Sequence, residues 1–168
     1  TPSTLRISGA EIDTAYQQVS SELLKAIQLA CKNITAFHKQ RLPKNWVTFE
    51  DDGVVLGKRY TPVARAGIYV PGGRAAYPST VMMNAIPARV AGVERLVMVT
   101  PTPNGHTNPA VLVAAQEAGV QEIYRVGGAQ AIGALAYGTE TVPKVDVISG
   151  PGNVYVTLAK KQVYGTVG

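Results

Sequence analysis

Four times along this chain a short apolar run empties into a Gly- or Pro-rich loop that opens a helical stretch. The runs are Gly67-Ile68-Tyr69-Val70 into Pro71-Gly72-Gly73, Leu96-Val97-Met98-Val99 into Pro101-Thr102-Pro103, Ile123-Tyr124-Arg125-Val126 into Gly127-Gly128, and Val145-Asp146-Val147-Ile148 into Gly150-Pro151-Gly152. Strand starts near 67, 95, 122 and 145 are one strand–helix unit apart, which predicts an α/β fold with a parallel sheet and flanking helices. The crossovers are expected to be right-handed, with all four loops on one sheet edge. Helix N-termini there leave backbone N–H groups without partners, so the rhythm also predicts where a ligand sits.

Ahead of this unit the pattern is helical. Ser8-Gly9-Ala10-Glu11 fits the capping box, and Leu23, Leu24, Ile27, Ala30, Cys31, Ile34 and Phe37 recur at three- and four-residue steps as far as His38. Pro43 stops any continuation. One helix, or two with a break near Val19-Ser20, fits equally well. From Trp46 to Val63 the period changes to two around Asp51-Asp52-Gly53, which predicts a β-hairpin acting as a linker or flap.

Helix signals punctuate the α/β unit. Ser79 or Thr80 is the expected N-cap of its first helix, with Pro87 as a kink or an irregular start. Asn108 caps the next, with Pro109 at the first helical position and Gly119 as the stop, and Gly138 closes a helix over Ala129–Tyr137. The last helix spans Gly152–Tyr164, with Lys160-Lys161 toward its C-terminal part, where positive charge complements the dipole. Gly165-Thr166-Val167-Gly168 reads like the approach to another strand, as if the chain were cut from something longer. The expected organisation is a helical arm over 1–45, a hairpin linker over 46–64 and an α/β domain over 65–168.

Composition narrows the function classes. With 46% apolar and 16% charged residues in 168, the chain can build an ordinary globular core. No apolar stretch approaches the roughly 20 residues of a membrane span, and Thr1-Pro2-Ser3-Thr4 does not begin a secretory signal. The net charge of +5 is spread thinly, so a small anionic ligand suits the chain better than nucleic acid. The single cysteine, Cys31, reads as a small core residue in a reducing compartment. His38 and His106 have no Cys or carboxylate at ligand spacing, so neither a metal site nor a catalytic pair is expected within this segment.

Loops of this kind let backbone approach a ligand closely while the following helix directs N–H groups and partial positive charge at it. Neither a G-x-G-x-x-G fingerprint nor a P-loop occurs. Beside the glycines stand Tyr69, Arg74, Gln130 and Asn153 as candidate ligand contacts. Each has an ordinary alternative: Tyr69 as core, Gln130 and Asn153 as local helix caps, Arg74 as a surface charge.

Over Gly67–Asn84, then Val126-Gly127-Gly128-Ala129-Gln130-Ala131-Ile132, then Gly150-Pro151-Gly152-Asn153, the chain closely resembles the histidinol dehydrogenase family. The likeness runs in the family's order over nearly the whole length, including Ala36-Phe37-His38 and Tyr137-Gly138-Thr139. The resemblance implies a homodimeric, zinc-containing enzyme of histidine biosynthesis, cytoplasmic or in a plastid, that oxidises L-histidinol through L-histidinal to L-histidine with two NAD in succession. It implies that 65–168 is an incomplete Rossmann-like domain with Tyr69, Gln130 and Asn153 as NAD contacts, whereas Arg74 rests on the loop argument alone. The family's zinc ligands, substrate serine and proton-moving Glu-His pair match nothing here, so this segment by itself is expected to be inactive. Two alternatives stay open: a paralogue acting on another alcohol, and a non-catalytic nucleotide-binding module.

Overall fold

The computed structural model describes residues 5–72 and 77–168, leaving aside the side chain at position 104. Helix α1 (Gly9–Gln18) starts on the expected capping box: the Glu11 N–H donates to Ser8 Oγ at 3.3 Å, and the Ser8 N–H donates to the Glu11 carboxylate at 3.0 Å. That bond, with Arg125 nearby, holds the Glu11 carboxyl below the usual range. The arm is two helices. Val19 turns extended, and Ser20 Oγ accepts the Leu23 N–H at 3.1 Å to open α2 (Ser21–Gln40). Strands β1 (Trp46–Phe49) and β2 (Val55–Lys58) then pair antiparallel about the Asp51-Asp52-Gly53 turn, and every residue of both is exposed.

The second half alternates strand and helix: β3 (Arg65–Tyr69), α3 (Pro78–Val90), β4 (Arg95–Val99), α4 (Pro109–Ala118), β5 (Glu122–Tyr124), α5 (Gly128–Tyr137), β6 (Val147–Ser149) and α6 (Val154–Val163). The four strands are all parallel, in the spatial order β5-β4-β3-β6. Both sheet faces are covered, which is why consecutive rather than alternate positions are apolar. Ala66, Ile68, Leu96, Met98 and Ile123 join one core with residues of α1 to α4. Tyr69, Val97, Val99, Tyr124 and Ile148 join the other with α5 and α6.

Both outer edges of the sheet are engaged. On β5, Ile7 N–H donates to Ile123 O at 2.9 Å and Arg125 N–H to Leu5 O at 2.8 Å, so the N-terminal segment lies antiparallel there. On β6, Gly168 N–H donates to Asp146 O at 2.9 Å and Ile148 N–H to Gly168 O at 2.8 Å, which puts Gly168 in parallel register as the Gly165–Gly168 pattern predicts.

Two helix starts differ from expectation by two residues or more. Helix α3 begins at Pro78 with Tyr77 as an N-cap that makes no side-chain bond, so Ser79 and Thr80 lie inside the first turn. Proline at the first helical position presets φ and lacks only an N–H that would go unpaired there, which favours a start at Pro78. The helix continues through Pro87 to Val90. The last helix starts at Val154, because Asn153 is its extended cap.

Candidate functional site

From β3 the chain steps outward to β4 and β5, then returns to place β6 on the opposite side of β3. The loops leaving β3 and β6 therefore part in opposite directions, and in parallel sheets the crevice at such a reversal is where ligands sit. Here the loops rest on one another backbone to backbone. A Cβ at Gly72 would lie 2.2 Å from Pro101 O, one at Gly127 2.4 Å from Pro101 Cβ, and one at Gly150 2.1 Å from Tyr69 O. Gly150 also has φ +106, so only glycine fits that position on both counts.

Tyr69, Gln130 and Asn153 all lie on this carboxyl edge: at the end of β3, in the first turn of α5 and at the start of α6. Tyr69 is 4% exposed, with its ring in the core, and its hydroxyl accepts the Gly128 N–H at 3.1 Å. The core reading of Tyr69 thus holds for the ring, while the hydroxyl belongs to the loops. Gln130 is exposed and makes no cap bond; its amide folds over Gly128, where a Cβ would meet Oε1 at 2.8 Å. Asn153 is a cap, with Oδ1 accepting the Val156 N–H at 3.1 Å. Its Nδ2 has no partner among the described residues and is the half of the amide open to a ligand. Arg74 lies outside the described residues.

A sequence profile described as histidinol dehydrogenase matches residues 1–168. The chain belongs to the histidinol dehydrogenase family. It is 76% identical over 169 residues to histidinol dehydrogenase of Thermosynechococcus vestitus, covering 100% of this chain and 39% of that protein. The Carboxydothermus hydrogenoformans histidinol dehydrogenase is 61% identical over 98% of this chain and 39% of its own length. A crystal structure of histidinol dehydrogenase from Elizabethkingia anophelis superposes with a TM-score of 0.92 at 43% identity, over 96% of this chain and 38% of that one. The chain thus spans about two fifths of the length of these relatives.

Three side chains at this edge escaped the reading of the sequence. Ser149 Oγ donates to Asn84 Oδ1 at 2.6 Å while Asn84 Nδ2 donates to Thr80 O at 2.7 Å, which stitches the end of β6 to the first turns of α3. Lys160 turns back along α6, and its Nζ donates to Gly150 O at 2.6 Å. Burial pushes its ammonium below the usual lysine range. Its place near the helix C-terminus suggested a dipole role, but helical side chains lean toward the N-terminus, and Lys160 stands seven residues, about two turns, above Asn153. That spacing was the available signal.

At the opposite edge, Arg95 Nε donates to Glu122 Oε1 at 2.5 Å and Tyr124 Oη to Glu122 Oε2 at 2.6 Å. Burial alone would raise the Glu122 carboxyl, but these two donors outweigh it and hold it below the ordinary value. Burial and the same contact push Tyr124 up to about 12. This cluster ties the starts of β4 and β5 together, away from the loops. Among the described residues no three His, Cys, Asp or Glu side chains gather where they could hold a metal ion, and no helix is long and apolar enough to cross a membrane.

Proposed function

We propose that the carboxyl edge of this sheet is the NAD seat of a histidinol dehydrogenase, an enzyme oxidising L-histidinol through L-histidinal to L-histidine. The observation that carries the reading is the convergence of Tyr69, the Gly127-Gly128 turn and the Gly150–Asn153 loop where the strand order reverses. A dinucleotide is long, flat and doubly anionic at its pyrophosphate. Helices α5 and α6 aim their N-termini at this edge, the glycines let backbone approach closely, and the Asn153 Nδ2 and Gln130 amide supply polar contacts. These donors fit NAD.

When bound, NAD supplies the hydride acceptor. The part of this chain is to bind and orient it, with Tyr69 fixing the β3 end against α5 through Gly128. The described residues offer no ligand set for the zinc that the family resemblance implies. On this reading the 168-residue chain seats the coenzyme yet produces no NADH from histidinol by itself. With the same reading go a homodimer, supported by the exposed apolar hairpin, a cytoplasmic or plastid location and no nucleic-acid partner, supported by thinly spread charge.

The test separates Asn153 as a cap from Asn153 as a contact. Asn153→Ser keeps a capping oxygen but removes the amide donor. In a calorimetric NAD titration we expect that variant to bind about tenfold more weakly than the parent chain, with a thermal midpoint close to the parent's. Equal affinity of the two proteins contradicts the assignment.

A further inference from the structure

The Gly150–Asn153 loop is held from behind by a residue that no reading of the site includes. Lys160 is partly buried, and its one hydrogen bond among the described residues is to the Gly150 carbonyl. That carbonyl stands at the entry to the loop, where its direction matters to an anion. Pro151 offers no N–H, whereas the N–H groups of Gly152 and Asn153 take part in no hydrogen bond among the described residues. A carbonyl turned toward the crevice would set a negative dipole end against an anionic ligand; drawn onto an ammonium, the same carbonyl is engaged and does not oppose one.

The peptide does not settle this orientation by itself. Gly150, at φ +106 and against Tyr69 O, sits where only glycine fits, and glycine is the residue with most alternative backbone states. The ammonium reaches it across the first two turns of α6, the helix whose cap is Asn153. One side chain therefore joins the loop, its capping residue and the helix into a single unit.

We infer that Lys160 is a positioning residue: by holding the Gly150 carbonyl it fixes the Gly150–Asn153 loop in the form that presents its N–H groups and the Asn153 amide to an anionic ligand. For NAD as that ligand the inference rests on the proposed function above; the state of the loop does not.

The experiment compares the parent chain with Lys160→Met, which keeps the apolar stem, and Lys160→Arg, which keeps a cationic donor. Amide hydrogen exchange reads the loop and NAD titration reads the ligand. In Lys160→Met the amides of Val156 and Thr157, both hydrogen-bonded to Asn153, should exchange about tenfold faster, with those of β3 and β4 unchanged, and NAD should bind about tenfold more weakly. Lys160→Arg should recover most of both. Unchanged exchange in the Met variant, or failure of Arg to recover any of the loss, overturns the inference. If the parent chain takes up no NAD, the proposed function fails, and exchange alone then decides Lys160: faster in the Met variant upholds its role, unchanged refutes it. A Met variant that loosens everywhere, β3 and β4 included, counts against a role confined to the loop.

Discussion

The β1–β2 hairpin and the β3–β4 pair are built from much the same residue types, and they have opposite fates. Leu96, Val97, Met98 and Val99 are 0% exposed, whereas Phe49 is 77% and Val55 58% exposed. The difference lies in the element to which each strand connects. β3 and β4 run into α3 and α4, which cover one face of the sheet, and α5 and α6 cover the other, so every apolar side chain meets another layer. The hairpin is two strands joined by a tight turn with nothing covering either face among the described residues, an arrangement marginal on its own in water. Apolar content thus decides what can be buried, and connectivity decides what is. It also places the proposed site: the parallel crossovers set the loops on one edge, and the hairpin has no comparable edge.

The comparison breaks most visibly at Leu96. Leu96→Ala opens a cavity in the covered sheet and should lower the unfolding free energy by about 2–5 kcal/mol, read from the shift of the urea midpoint. A smaller effect is expected in acid. Glu122 titrates below its unfolded value in the folded chain, so its contribution is present above the unfolded carboxyl pKa and is lost as pH falls through the folded one. The urea midpoint should therefore drop between about pH 5 and about pH 3, and Glu122→Gln should flatten that slope. A variant with the parent's slope excludes Glu122 as the source. Smallest is Phe49→Ala in the hairpin, expected within about 0.5 kcal/mol of the parent. A loss as large as that at Leu96 means that the hairpin is covered in solution.

Much of this was legible because it is local. The Ser8-Glu11 box, the Asn108 cap and the Gly53 turn each depend on residues within a few positions, and each forms as the sequence predicts. The four strand–loop units were legible too, since burial on both faces leaves unbroken apolar runs. Contacts between units were not. Nothing near Tyr69 in the sequence points to Gly128, nor near Ser149 to Asn84, because those pairs meet only once the strands have assembled into the sheet. Lys160 was misjudged for a related reason, since its position on α6 was plain but the direction of its side chain was not.

The placement of NAD is tested most directly by following the backbone amide resonances of the 168-residue chain as NAD is added. The account predicts that the perturbed amides cluster on Tyr69–Gly72, Gly127–Gln130 and Gly150–Asn153, with β1, β2 and α2 silent. Perturbations centred on the hairpin or on α2, or none at all at saturating NAD, contradict it.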